Sequence, residues 1–317
     1  MNAEEKKIKL LVTPAPHVKD TMSGARMMQD TLISLTPAVI AAIILFGTKA
    51  VLPIVVSIIT AVLAELGMLK FRKLPVAKAD ISSAALTGLL LALTLPPALP
   101  WWTCTVGSVA AIVIAKHFFG GLGYNIFNPA LVGRAFLVAS WPLMMTTWLA
   151  PLTGIDAVTT ATPLAQFKPM ALTKMAEHVP IYIKLLLGNH GGSIGETCAI
   201  ALILGGMFLL WRKVIEWRIP LSYIGTVAVF SMIFNEDPAF HVLAGGLLLG
   251  TFFMATDPVT SPVTKPGRWI FGIGCGVITM VIRLWGGYPE GVCYSILLMN
   301  ATVPLLDRYF KGRTFGT

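Results

Sequence analysis

The sequence predicts an all-α integral membrane protein of about ten transmembrane helices, arranged as two inverted five-helix repeats. Three observations lead there. Of 317 residues, 56% are hydrophobic and only 12% charged, with a mean hydropathy of +0.77, outside the range of soluble globular domains. Several apolar runs approach the roughly 20 residues that cross a hydrocarbon core as a helix, and none alternates as the strands of an outer-membrane barrel do. Finally, "ALTGLLLALTLPP" (85–97) resembles "LAGGLLLGTFFMATDP" (243–258), and "KHFFGGLGYN" (116–125) resembles "IRLWGGYPEG" (282–291), in the same order.

The apolar segments run Leu32–Phe46, Val51–Met68, Ile81–Leu95, Trp101–His117, Asn128–Leu149, Glu196–Leu210, Ile219–Phe234, Ala239–Thr256, Trp269–Leu284 and Gly291–Leu306. Short connections separate most of them. The second and third are parted by the cations Lys70, Arg72, Lys73 and Lys78. Pro129 suits the first turn of the fifth segment and Asn128 its cap. Between the fifth and sixth lies the one long polar connection, Pro151–Gly195, which carries an apolar piece, "HVPIYIKLLLG" (178–188), and the Gly-rich "GNHGGSIGE" (188–196). A connection of that length is functional or disordered, and the apolar piece argues for order. The repeated stretches fall in segments three and four and again in eight and nine. With five segments per half, the two copies then cross the membrane in opposite directions.

Placing the N-terminus in the cytoplasm puts eighteen of the 24 Lys and Arg inside and five outside, Lys49, Lys168, Lys174, Lys184 and Arg283, with Arg134 within a segment. Such a bias sets both termini inside and the long connection outside, in a prokaryotic cell (inner) membrane. The domains read as a cytoplasmic segment 1–30, helices one to five over 31–150, an outer loop 151–195, helices six to ten over 196–306 and a cytoplasmic tail 307–317. No short apolar stretch with a small-residue cleavage site precedes the first segment, so no removable signal is expected. The net charge of +9 reports orientation in the bilayer rather than nucleic acid binding. Cys104, Cys198, Cys275 and Cys293 stand apart, without CxxC spacing or a His/Cys cluster, so no metal site is expected within this chain. They are either small buried hydrophobes or a thiolate lent to a site shared with another subunit.

Within the outer loop stands Asp156-Ala157-Val158-Thr159-Thr160-Ala161-Thr162. Its pattern, D-x-x-[S/T]-x-A-T, resembles the acceptor motif at which a flavin transferase joins flavin mononucleotide (FMN) by its phosphate to the last threonine. A threonine hydroxyl is a weak nucleophile near neutral pH, so the acceptor must be presented accessibly to an enzyme supplying base and metal ion. Asp156, Thr159, Thr160 and Ala161 complete the cofactor-binding set around Thr162, and Ala161 leaves the hydroxyl unobstructed. Thr160 departs from the small residue common at its position.

Together with "TPAPHVKD" (13–20), "GGLGYNIFNPALVGRAFL" (120–137), "GGSIGET" (191–197) and "ATDPVTSPVT" (255–264), this motif makes the chain resemble a known family over essentially its whole length. That family comprises the D subunits of the Rnf ion-translocating ferredoxin:NAD oxidoreductase complex and the B subunits of the sodium-pumping NADH:quinone reductase. The resemblance implies ten helices, FMN in phosphodiester linkage to Thr162, a noncovalent riboflavin, and an electron-carrying role beside the Rnf complex's subunits A, B, C, E and G. No residue of the chain is catalytic alone.

Other residues keep two readings. Arg134, about two turns into its segment, must face protein or a polar cavity, where a flavin, a partner's acid or backbone carbonyls can hold it. Glycine pairs 120–121 and 286–287 allow close approach of a helix or of an isoalloxazine ring. Glu65 and Asp257, near inner segment ends, either assist a cation or pair with Lys70 and Arg268. His117 and His241 receive no ligand role. The Asn-Pro-Ala of the fifth segment invites comparison with water channels, but the second repeat offers only Asn300-Ala301. A tethered flavin accepts electrons singly or in pairs and suits a relay, coupled by family analogy to Na+ or H+ export. The competing classes are a secondary transporter or channel without redox chemistry and a purely structural anchor.

Overall fold

The computed structural model describes residues 23–151, 159–160, 162–166, 179–287 and 291–310. The described chain is helical apart from one two-residue ladder. Helix α1 (Gly24–Phe46) begins where the Ser23 hydroxyl accepts from Arg26 N. It ends at Gly47, whose φ of +60° turns the chain straight into α2 (Thr48–Phe71). Asp80 folds its carboxylate back onto Ala77 N at 3.0 Å to start α3 (Lys78–Leu93). Helix α4 (Trp101–Ala110) widens without a break into a π-helical turn, Ala111–His117. As expected, Asn128 caps α5 (Pro129–Ser140), its Oδ1 accepting from Ala130 N at 3.1 Å and Leu131 N at 3.4 Å. The single turn α6 (Pro142–Met145) follows, then β1 (Trp148–Leu149), which pairs antiparallel with β2 (Thr159–Thr160). The long connection also holds α7 (Pro163–Gln166) and α8 (Val179–Leu187).

The second half runs α9 (Ala199–Trp211), α10 (Arg218–Ile233), α11 (Pro238–Leu243), α12 (Leu247–Leu249), a second π-helical turn Gly250–Met254, α13 (Lys265–Trp285) and α14 (Val292–Tyr309). Among the described residues only α1, α2 and α13 are long and apolar enough to cross a bilayer by themselves. The remaining segments are shortened for identifiable reasons. Segment three stops at Thr94 before Pro96 and Pro97, which lack an N–H to continue the helix. Its freed carbonyls are taken up by the Gly-rich connection: Gly195 N donates to Leu93 O at 2.7 Å and Ile194 N to Leu95 O at 3.0 Å. Segment five ends at Trp141-Pro142, not at Leu149. Segment eight breaks at Ala244–Gly246, where Gly245 takes φ +70°, between α11 and α12. Broken helices survive at membrane depth only where protein re-satisfies the backbone.

Packing repeats between the halves. Helix α2 lies against α3 and α4, and α10 against α11 and α13; α4 meets α5, and α13 meets α14. Contacts of α1 with α9 and of α5 with α14 join the halves. Small residues make these approaches possible, as is usual where no water drives helices together. A Cβ on Gly205 of α9 would stand 2.2 Å from Ser34 O of α1, and one on Gly272 of α13 would stand 1.9 Å from Ser222 Oγ of α10. A hydroxyl knot ties α10, α13 and α14: Tyr223 Oη lies 2.7 Å from Thr279 Oγ1 and 3.0 Å from Ser295 Oγ, all three fully buried. Between the halves, Asn128 Nδ2 donates to Met254 O at 3.2 Å.

Two expectations for glycine pairs change. Gly120 and Gly121 have φ of +132° and +108° and form a turn, not a helix contact. Gly286 ends α13, and a Cβ on Gly287 would meet nothing within 4 Å.

Candidate flavin loop and buried charge sites

The expected cofactor residues divide between described and undescribed chain. Asp156 and Ala161 lie outside the described residues. Thr159 and Thr160 form β2, paired with Leu149 and Trp148, so the ladder fixes the backbone two residues before Thr162. Thr162 itself is only 3% exposed, which corrects the expectation of an open acceptor. The cause is local packing. Leu164, in the helical turn just after it, joins Ile181 and Tyr182 of α8 against Leu185, Phe240 and Ala244, and burial of these side chains carries the loop onto the bundle.

Polar groups gather around this apolar patch. Leu164 Cδ1 and Arg283 Nη2 both stand beside Gly245, at 2.7 Å and 3.4 Å from where its Cβ would be. Arg283, at the end of α13, donates from Nη1 to His241 O and from Nη2 to Ala244 O at 3.0 Å, capping the carbonyl end of α11. Asp237 Oδ1 accepts from Ala239 N to start α11, and its Oδ2 accepts from Tyr182 Oη. Glu196, 2% exposed, accepts from Ser193 N at 2.9 Å through Oε1, and its Oε2 faces Gly246, which only a missing side chain permits. The imidazole of His190 lies 3.1 Å from both Gly191 O and Thr197 O. Its burial holds its pKa below the usual imidazole value.

Arg134 is 8% exposed within α5, inside protein as the cost of a cation in hydrocarbon demands. It sits on a different element from the Thr162 loop.

A second polar site occupies the other end of the bundle. Glu65 is not a surface partner of Lys70. Its Oε1 lies 2.9 Å from Lys116 Nζ and its Oε2 lies 3.1 Å from His117 Nε2, every side chain being 1% exposed. Lys116 also donates to Ser83 Oγ at 3.3 Å. Both partners come from the π-helical turn. Lys116 further lines an interior cavity with Ser83, Thr87, Asn125 and Asn128 on its polar side and Phe252 and Phe253 on its apolar side. Asp257, expected beside Arg268, instead accepts from Thr260 Oγ1 at 3.0 Å, while Arg268 and Arg218 both hold Glu216. Among the described residues no three His, Cys, Asp or Glu side chains are placed to hold a metal ion.

Such an arrangement, a helical bundle with broken segments, buried charges at both ends and a packed connecting loop, defines a helical membrane protein that encloses polar groups within its bundle. Comparison with known proteins names the group. The profile of the NQR2, RnfD, RnfE family matches residues 11–316, and the chain belongs to that family. It is 47% identical to the D subunit of the proton-translocating ferredoxin:NAD(+) oxidoreductase complex of Clostridium ljungdahlii, over 99% of this chain and 98% of that one. It is 48% identical to the D subunit of the Na(+)-translocating ferredoxin:NAD(+) oxidoreductase complex of Acetobacterium woodii, over 98% and 96%. The D subunit of the ion-translocating oxidoreductase complex of Yersinia pseudotuberculosis serotype I shares 38% identity, over 96% and 98%.

Proposed function

We propose that the chain is the membrane electron-carrying subunit of an ion-translocating ferredoxin:NAD oxidoreductase, relaying electrons through FMN linked to Thr162 and coupling their passage to export of Na+ or H+. The observation that carries this reading is near-complete coverage at almost one-half identity to two subunits of such complexes, combined with the D-x-x-T-x-A-T motif in a loop the fold holds against the bundle. One of those relatives is named for protons and the other for sodium at nearly equal identity, so the ion is set by local residues rather than by overall similarity.

The residues around Thr162 suit such a group. The ladder of β1 and β2 aligns the acceptor, and Arg283 brings positive charge to the patch that Leu164 joins, which a phosphodiester requires. When bound, a flavin supplies reversible one- and two-electron chemistry. The protein's share is to fix the tether, exclude water through the Leu164 patch and set the local charge. Because Thr162 is enclosed, the transferase acts on the loop before it packs. A noncovalent riboflavin belongs to the same reading, carried by the family resemblance alone.

The reading extends to ten spans in two inverted repeats, supported by the parallel packing of α2, α4 and α5 with α10, α13 and α14. Both termini then lie in the cytoplasm and the flavin loop outside. The partners are subunits A, B, C, E and G. A denaturing gel tests the central claim. The native chain and Thr160→Ala should carry covalent flavin fluorescence, and Thr162→Ala should lose it entirely; a dark native band would overturn the reading in favour of a non-redox transporter.

A further inference from the structure

A cleft of about 630 Å³ opens where α9 ends and α10 begins, against the start of α1 and the chain after the second π-helical turn. Its walls are of two kinds. Leu210, Ile219 and Met27 are apolar, while Lys213 and Arg268 bring positive charge. Trp217, 49% exposed, lines the cleft, and Trp269 packs edge-on to Trp217 at 5.8 Å. Exposed tryptophans beside cations mark the membrane–water boundary. The local charge balance is positive. Arg212 is neutralised by Asp30 at 3.0 Å, and Glu216 is shared by Arg218 and Arg268. Among the described residues this leaves one guanidinium charge and the Lys213 ammonium without a carboxylate each.

Lys213 occupies an unusual backbone position. It takes φ +57° as the chain leaves α9, with Lys213 N bonded to Leu210 O and Val214 N to Leu209 O, a place where glycine is ordinarily preferred. The end of α2 repeats this arrangement: Phe71-Arg72-Lys73 mirrors Trp211-Arg212-Lys213, and Lys73 takes φ +55°. Lys73 is equally exposed but lines neither this cleft nor the interior cavity. The fold thus contains its own control.

We propose that this cleft binds the phosphate headgroup of an anionic phospholipid, with Lys213 as its principal charge contact, Arg268 as a second, and the acyl chains against Leu210 and Ile219. Basic pockets between helices at the membrane surface recognise such headgroups by charge and by the adjoining apolar wall. Met27, Val214, Ile215, Thr256 and Pro258 line both this cleft and the interior cavity, so a seated lipid closes the cavity toward the bilayer surface. The inference does not depend on the flavin.

The test is native mass spectrometry of the full-length chain in detergent, titrated with phosphatidylglycerol and, separately, phosphatidylcholine. Wild type and Lys73→Gln should retain one phosphatidylglycerol in preference to phosphatidylcholine. Lys213→Gln should bind it at least ten-fold more weakly, and Lys213→Arg should restore it. Equal loss in Lys73→Gln and Lys213→Gln would reduce the effect to general surface charge and overturn the proposal, as would a wild type that does not discriminate between the lipids.

Discussion

Glu65 stands between Lys116 and His117, which follow one another in the chain and lie far from it in sequence. Removing one member of a buried charge cluster leaves the others uncompensated. Glu65→Gln is therefore expected to lower stability by about 3 kcal/mol, read as a fall in the thermal unfolding midpoint of the detergent-purified chain. Adding Lys116→Met to that variant should recover part of the loss; no recovery would show that Glu65 acts through packing alone. His190 supports a prediction in pH. Its folded pKa is lowered by burial, so below about pH 6.5 the unfolded chain binds a proton that the folded chain resists. The stability it contributes is whole above that pH and is lost as pH falls, by at most about 1.4 kcal/mol per pH unit. Proteolysis of the long connection at pH 5.5 and 7.5 should show the difference, and His190→Gln should abolish it. At this scale the sequence marks Asn128 as a cap and Arg134 as enclosed, since each follows from local chemistry. It marks Glu65 but not its partners, because no Gly or Pro announces the π-helical turn that carries Lys116 and His117.

Among the elements, α10 and α13 meet most closely, and the approach depends on Gly272. A methyl there would overlap Ser222 Oγ and press on Ile219 O. Overpacking of this kind costs about 1–3 kcal/mol, so Gly272→Ala should unfold at lower temperature. Gly225→Ala on α10, where a Cβ meets nothing within 4 Å, should unfold no lower than wild type. If the two variants behave alike, helix contact is not the reason for glycine at 272. The apolar runs announce most of these helices, yet their interruptions are less legible. Prolines signal the ends of the third and fifth segments. The break at Ala244–Gly246 has only a glycine pair to mark it, and it is held open by Arg283 from another helix, a tertiary partner no local pattern reveals.

For the whole molecule, the long connecting loop and the two halves depend on contacts between distant parts of the chain. The motif around Thr162 is readable in sequence because a modifying enzyme must read it too. Its enclosure is not, since that depends on Leu164 finding Leu185, Phe240 and Ala244. The same dependence carries a consequence in time. Asn128 opens α5 in the first half, but the carbonyl its amide requires belongs to Met254, 126 residues later. At about 5–20 residues per second of synthesis, that acceptor is made roughly 6–25 s after Asn128. By the end of this interval the first five segments have been made while one of their polar groups still waits for its partner. The inserting machinery, rather than the second half of the bundle, has to shelter it until then.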